Sequence, residues 1–241
     1  MTKSTVLLSR DQVAELVTLK EVVDITEQVF KAHGSGGVVM PSKISLDLGE
    51  SGEPNWMNAM PSYVPGSGAS GIKWAGGFLH NQSERGLEYV QAMIILNDPI
   101  TGIPTAVMDG AWITNARTGS VPAVVFKHLG PSHPARVALV GAGMQARWTI
   151  RALAVLGNLE AVKVFDIRDE AAHAFTRDMQ EELGVKIEVA GSIEEAVRDA
   201  NLIVTVTTAN APLVKRSWVS PGAVVVAMGS YQELDDKLVL E

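Results

Sequence analysis

Val137-Ala-Leu-Val-Gly-Ala-Gly-Met144 is the stretch that decides the fold. Its four leading apolar residues read as a short buried strand. Gly141, Gly143 and Ala146 then form Gly-x-Gly-x-x-Ala. The first permits a tight turn off the strand end, the second lets backbone approach a pyrophosphate, and the third lets the new helix pack on the strand. A helix start there presents free N–H groups and a positive dipole end, which suits a diphosphate. With 22 glycines in the chain the pattern alone is a weak signal, but its surroundings strengthen it. A helical pattern follows over Gln145–Leu156, and a second strand, Ala161–Phe165, ends in Asp166. An acidic residue roughly 20 to 25 positions past the glycines is where an acceptor for a ribose hydroxyl belongs. Asp166 therefore points to NAD. Arg168, two residues on, leaves NADP open, since it could meet a 2′-phosphate; a solvated charge or a contact on adenine are its other readings.

Downstream, strands and helices alternate. Glu170–Leu183 reads as helix, Lys186–Val189 as strand, Ile193–Ala200 as helix capped by Ser192, and Leu202–Val206 and Ala223–Met228 as strands. This alternation predicts a parallel, doubly wound sheet of the Rossmann type. Thr207 and Thr208 follow one strand and Gly229 and Ser230 another. Ligands of open α/β sheets bind outside such carboxyl ends, so these four join the candidate cofactor contacts. After Met228 a polar, helix-like pattern begins and the chain stops at Glu241. A complete dinucleotide fold wants one more strand, so the expectation is a chain truncated at its C-terminus.

Upstream, Ser9-Arg-Asp-Gln12 and Thr18-Leu-Lys-Glu21 are capping-box patterns that open two helices. Val22, Val23, Ile25, Thr26, Val29 and Phe30 give the second an apolar stripe, and Gly34, Gly36 and Gly37 stop it. Five segments with strand character follow: Ile44–Leu48, Trp56–Met60, Gly71–Trp74, Tyr89–Leu96 and Thr105–Asp109. Turn chemistry separates them at Gly49–Pro54, Pro61–Gly68 and Asn97–Gly102. The prediction is a strand-rich, mostly antiparallel α+β domain over residues 1–120, followed by the dinucleotide-binding domain over 121–241. At the junction Ala123–Leu129 is helical in pattern and ends at Gly130-Pro131. Pro122 would break a helix if it sat deep inside, so the expected start has Ser120 as N-cap and Pro122 in the first turn. Arg117, Thr118 and Gly119 would then lie just before the helix.

Composition sets outer limits. The 241 residues are 46% hydrophobic and 20% charged, with a net charge of −7 and no basic run. Nucleic acid is not an expected partner, because such affinity comes mostly from neutralising phosphates. With no cysteine, disulfides and thiolate chemistry are excluded. His33, His80, His128, His133 and His173 show no metal-ligand spacing, so no metal is expected. No stretch reaches the roughly 18 uninterrupted apolar residues of a membrane helix, and the expected location is the cytoplasm.

Six segments occur in order: Gly71-Ile-Lys-Trp74, Ile95-Leu-Asn-Asp-Pro-Ile-Thr-Gly102, Met108-Asp-Gly110, Ile113-Thr-Asn-Ala-Arg-Thr118, Val140-Gly-Ala-Gly-Met-Gln-Ala146 and Ala227-Met-Gly-Ser230. Together they resemble the ornithine cyclodeaminase/mu-crystallin family, from about Ser9 to Glu241. The resemblance implies an NAD(P)-dependent protein acting on an amino acid or cyclic imine, and a homodimer formed through the first domain. Family members include cyclodeaminases, dehydrogenases and reductases of amino and imino acids, and mu-crystallin, a coenzyme-dependent binding protein. Their chains usually run longer, in line with the truncation. Carried over by motif, Lys43 and Arg117 match residues that bind the substrate carboxylate, and Lys73 matches the lysine near the reacting carbon. Thr118, Gly141, Gly143, Met144, Gln145 and Ala146 match cofactor contacts.

Two positions depart from the family pattern. Tyr231 stands where cyclodeaminases look to carry an aspartate tied to the reacting amino group, which tells against ornithine cyclisation. Glu88 replaces a usual proline. The residues themselves add to the case for Lys73: a lysine between Ile72 and Trp74 is costly unless paired or functional, and Gly76 and Gly77 after it allow a ligand close. The expected activity is hydride transfer between a nicotinamide and the α-carbon of an amino or imino acid.

Overall fold

A computed structural model describes residues 4–49, 55–229 and 232–240. The expected contacts of Ser230, the departure at Tyr231 and most of the Gly49–Pro54 turn lie outside the described residues. The chain divides into two compact units, Met1–Thr114 and Asn115–Glu241, so the division falls a few residues before position 120.

In the first unit, β1 (Val6–Leu8) leads into α1 (Arg10–Leu16) and α2 (Leu19–Gly34). Both capping boxes are formed, Ser9 with Gln12 and Thr18 with Glu21. There follow β2 (Ile44–Asp47), β3 (Trp56–Val64), β4 (Ala69–Gly77), β5 (Val90–Asn97) and β6 (Pro104–Asp109). They make a six-stranded sheet in the order β1-β6-β5-β4-β3-β2, antiparallel except for the β1–β6 pair. The β5–β6 hairpin is tied by Asp98, whose Oδ1 accepts from the N–H groups of Ile100 and Thr101, while Gly102 takes φ +73°.

Two features of this sheet depart from the sequence reading. β1 carried no expectation at all. The turn expected at Pro61–Gly68 begins only after Val64, because β3 runs through Pro61, which pairs with Ile72. Proline brings no N–H, but here none is missed. Tyr63 N–H bonds Val39 across the far edge of β3, and the Pro61 nitrogen, two residues back, faces the same edge. β2 begins only opposite Ala59, so its ladder does not reach Pro61 and no bond of it is lost.

α3 (Ala111–Leu129) is one continuous helix, which corrects the expected start at Ser120. Its first N–H, on Ala111, is accepted by Asp109 Oδ1. Pro122 lies inside the helix, and the Ser120 hydroxyl donates back to the Ala116 carbonyl rather than capping a new start. An interior proline costs about 3 kcal/mol, which burial outweighs here. Ala116, Ser120, Ala123, Val124 and Phe126 are all buried. Arg117, Thr118 and Gly119 are therefore helical residues. A Cβ on Gly119 would come within 2.5 Å of the Trp148 Cβ, so its glycine is required by helix packing.

The second unit alternates β7 (Ala135–Val140), α4 (Met144–Val155), β8 (Leu159–Phe165), α5 (Asp169–Leu183), β9 (Lys186–Val189), α6 (Ile193–Val197), β10 (Leu202–Thr205), β11 (Val224–Ala227) and α7 (Asp236–Leu240). The sheet order is β11-β10-β7-β8-β9, all parallel. The chain goes outward from β7 in one direction, then returns to β10 and goes outward in the other. With the right-handed crossovers that parallel strands take as a rule, this order puts helices on both faces, the doubly wound arrangement. Its core is apolar and closed: Leu139, Ile150, Leu153, Val164, Phe175, Met179 and Ile203 are fully buried. In α4 the buried stripe is Ala146, Thr149, Ile150 and Leu153, the spacing of one helix face. Among the described residues no helix is long and apolar enough to cross a membrane.

Candidate coenzyme and substrate site

The glycine turn between β7 and α4 sits where the strand order reverses. Gly141 adopts φ +105°, a conformation that favours glycine, and a Cβ on it would lie 2.7 Å from the Val206 carbonyl oxygen. Its N–H is bonded to the Phe165 carbonyl at 2.8 Å. Gly143 precedes α4 with ordinary φ of −78°, and a Cβ there would meet nothing within 4 Å. The protein itself makes no demand for glycine at this position; the space is what an approaching ligand would need. No side chain caps α4. Its first backbone bond runs from Arg147 to Gly143, so the N–H groups of the turn before have no partner within the helix. A bare helix start with room above it fits a pyrophosphate.

Asp166 closes the other side of this turn from the end of β8. Its Oδ2 accepts from Ala142 N–H at 2.8 Å and its Oδ1 from Arg168 N–H at 2.9 Å. Each carboxylate oxygen keeps a second lone pair for a ribose hydroxyl. The Arg168 guanidinium is 3.7 Å from Asp166 and mostly exposed. Gln145, in the first turn of α4, donates to Asn115 Oδ1 of α3 at 2.8 Å. Arg147 and Arg151 pair with Asp178 and Glu182, tying α4 to α5. Gly141, Gly143, Met144, Gln145, Ala146 and Asp166 thus gather at one end of the parallel sheet.

Across the switch point, the ends of β10 and β11 are organised by a residue absent from the sequence reading. Glu233 is 1% exposed. Its Oε1 accepts from both the N–H (2.8 Å) and the hydroxyl (2.6 Å) of Thr207, and its Oε2 from the Thr205 hydroxyl (2.8 Å) and Gly229 N–H (2.8 Å). A Cβ on Gly229 would lie 2.4 Å from the Glu233 carboxyl carbon, which accounts for that glycine. Thr207 is thereby turned toward the protein, while Thr208 beside it is exposed.

Arg117 and Thr118 lie on α3, in the same unit as the glycine turn. Among the described residues Arg117 has no hydrogen-bond or ion-pair partner. Surrounding protein displaces water and pulls its pKa below the ordinary arginine value. The residue as a whole nonetheless keeps an exposed surface. Lys43 and Lys73 belong to the other unit. Lys43 is exposed just before β2. Lys73 sits mid-sheet in β4, half-buried, directly opposite Met60 of β3 and Ile94 of β5. Gly110, after β6, lies close to Ala92 and Ile94 of β5. Glu88, the other departure from the family pattern, is paired with Arg10 at 3.0 Å. No group of three or more histidine or acidic side chains suited to a metal occurs among the described residues.

The description of the ornithine cyclodeaminase/mu-crystallin family matches residues 3–241. The chain belongs to this family. An alanine dehydrogenase of Archaeoglobus fulgidus is 33% identical over 239 residues, which cover 98% of this chain and 71% of that protein. The solved Δ1-pyrroline-2-carboxylate reductase of Thermococcus litoralis, in complex with NADH and L-proline, has a TM-score of 0.91 at 32% identity. It is matched over 98% of this chain and 73% of its own. An archaeal alanine dehydrogenase, solved as a dimer with bound NAD, has a TM-score of 0.83 at 32% identity, over 92% of this chain and 66% of its own. Of the residues expected to contact coenzyme, Gly141, Gly143, Met144, Gln145, Ala146, Asp166 and Thr207 lie at or beside the glycine turn. Glu233 escaped notice because its only signal is one acidic residue in a polar run, four positions past Gly229.

Proposed function

We propose that this protein is an NAD-dependent oxidoreductase that interconverts an α-amino acid and the corresponding α-imino acid, cyclic imines included. The observation that carries the reading is the bare start of α4 beside an open glycine turn, with Asp166 one strand away, in a chain 33% identical to an alanine dehydrogenase. NAD when bound would supply the hydride acceptor or donor for the substrate α-carbon. The α4 N–H groups would hold the pyrophosphate and Asp166 the adenosine ribose. Arg117, with its planar fork, would clamp the carboxylate, aided by Lys43. Lys73 Nζ would give or take the proton at the nitrogen-bearing centre. Titration with NADH, followed by a screen of imino acids with NADH and amino acids with NAD⁺, tests the reading. Coenzyme binding with turnover of one such pair is expected; no binding of NADH or NADPH overturns it, and tight binding with no turnover replaces it with a binding role.

Asp166 also favours NAD over NADP, because a 2′-phosphate would meet its charge. Asp166→Ala is expected to weaken NADH binding by about 10- to 100-fold, the worth of a charged hydrogen bond. NADPH binding should fall far less. A wild-type protein that strongly prefers NADPH in fluorescence titration would show that Arg168 governs the choice instead.

The assembly we propose is a homodimer through the first unit. Ile44, Ala59, Trp74 and Met93 align in register across four strands on the face of the sheet opposite Lys73. Ile44 is 66%, Trp74 38% and Met93 48% exposed, with Leu7 at 73% nearby on the same face. So wide an apolar face calls for a cover, and a second copy would meet it with the same residues. Each large apolar side chain buried there contributes about 1.5–3 kcal/mol. The double variant Trp74→Glu, Met93→Glu is expected to run as a monomer in light scattering where the wild type runs as a dimer. A wild-type monomer at micromolar concentration would contradict this.

A further inference from the structure

We infer that Glu233 is the positioning residue for the nicotinamide half of the coenzyme, an inference that rests on the dinucleotide reading above. A carboxylate offers four lone-pair sites, and all four are taken by donors from the ends of two neighbouring strands. No cation pairs with it among the described residues. Its own backbone is fixed as well, the carbonyl accepting from Leu213 N–H at 2.7 Å. Burying a charge without a counter-ion is costly, and packing alone would be served better by an apolar side chain. What a carboxylate does that an apolar group cannot is draw Thr205, Thr207 and Gly229 to one point.

That point lies beside the switch point, where ligands of open α/β sheets bind. The Thr207 Cγ2 would be 3.2 Å from a Cβ on Gly141, so the segment that Glu233 holds abuts the coenzyme turn. The groups that would meet the pyrophosphate and adenosine, from Gly141 to Ala146 and at Asp166, are held on β7, α4 and β8 without Glu233. The part of the coenzyme left to β10 and β11 would then be the part beyond the pyrophosphate, its nicotinamide riboside. Glutamine at this position would aim an NH₂ group at two donors and leave a backbone N–H, of Thr207 or Gly229, without an acceptor.

Calorimetric titration of wild type, Glu233→Gln and Thr205→Val with NADH and with ADP-ribose, which lacks the nicotinamide, tests the inference. Thr205→Val keeps the shape of a fully buried residue and removes one hydroxyl donor only, so it remains informative should Glu233→Gln fail to fold. Glu233→Gln is expected to weaken NADH by about 10- to 100-fold, the range for a lost hydrogen bond to a charged group. Thr205→Val should weaken it by roughly 2- to 10-fold, the range for one ordinary hydrogen bond. ADP-ribose affinity should stay at the wild-type value in both. Unchanged NADH affinity in the variants overturns the inference and leaves the dinucleotide reading standing. Equal losses for NADH and ADP-ribose also overturn it, by assigning Glu233 to general stability. A wild type that binds neither ligand removes the dinucleotide reading itself, and the inference with it.

Discussion

Lys73→Ala is expected to lower turnover by about 10²- to 10⁴-fold, the usual worth of a general acid–base group, with NADH affinity unchanged. The split follows from where the residue sits. Lys73 is in β4, between β3 and β5 of the first unit's six-stranded sheet and opposite Met60 and Ile94, while the glycine turn belongs to the second unit. Its flanking pairs are backbone ladders that alanine preserves, so the sheet survives the change. Lys73→Arg should rescue little, because guanidinium keeps its proton at all working pH values. Pre-steady-state kinetics separates the chemical step from coenzyme binding. A variant with wild-type turnover would remove Lys73 from the chemistry.

Arg117→Met is expected to reduce kcat/KM by about 10²- to 10³-fold, since each hydrogen bond of a charged fork to a carboxylate contributes about 1.5–3 kcal/mol. Stability should move the other way or not at all. No protein partner is lost, and the guanidinium's pKa in the fold lies below its ordinary value. A base whose pKa is depressed on folding is held charged at a cost to the folded state at every pH below that value, neutral pH included. Removing it relieves that cost, so the melting temperature of Arg117→Met should equal or exceed the wild type. A marked drop in melting temperature would mean that Arg117 is a structural residue, and a kcat/KM unchanged within a factor of about two, below the worth of a single hydrogen bond, would mean that it does not touch substrate.

The parts of this fold visible in the sequence are those whose cause is local. Two capping boxes, the Asp98 hairpin and the Gly141 turn each rest on neighbouring residues, and each forms where expected. The parallel sheet followed from alternation, because continuous apolar runs such as Val137–Val140 are buried on both faces. What was hidden depends on distant partners. β1 is three residues long and exists by pairing with β6, Val6 lying opposite Ala106. Pro61 reads as a turn until the sheet shows that its nitrogen faces an unpaired edge. Pro122 reads as a helix start until the burial of α3 outweighs its local cost.

The candidate site divides in the same way. The coenzyme turn was legible because glycine geometry is local, and Lys43, Lys73 and Arg117 emerged through the family resemblance. Thr207 and Gly229 were noticed as strand ends, but the reason for Gly229 is Glu233, whose carboxyl group would fill the space of a Cβ. That contact spans two strand ends and a later segment, and no periodicity encodes it.

Stoichiometry tests the central claim most directly. With a cyclic α-imino acid and NADH, the account predicts one NADH oxidised for each amino acid formed and no ammonia released. Ammonia released from a diamino acid with no net change in NADH would contradict it and make the protein a cyclodeaminase.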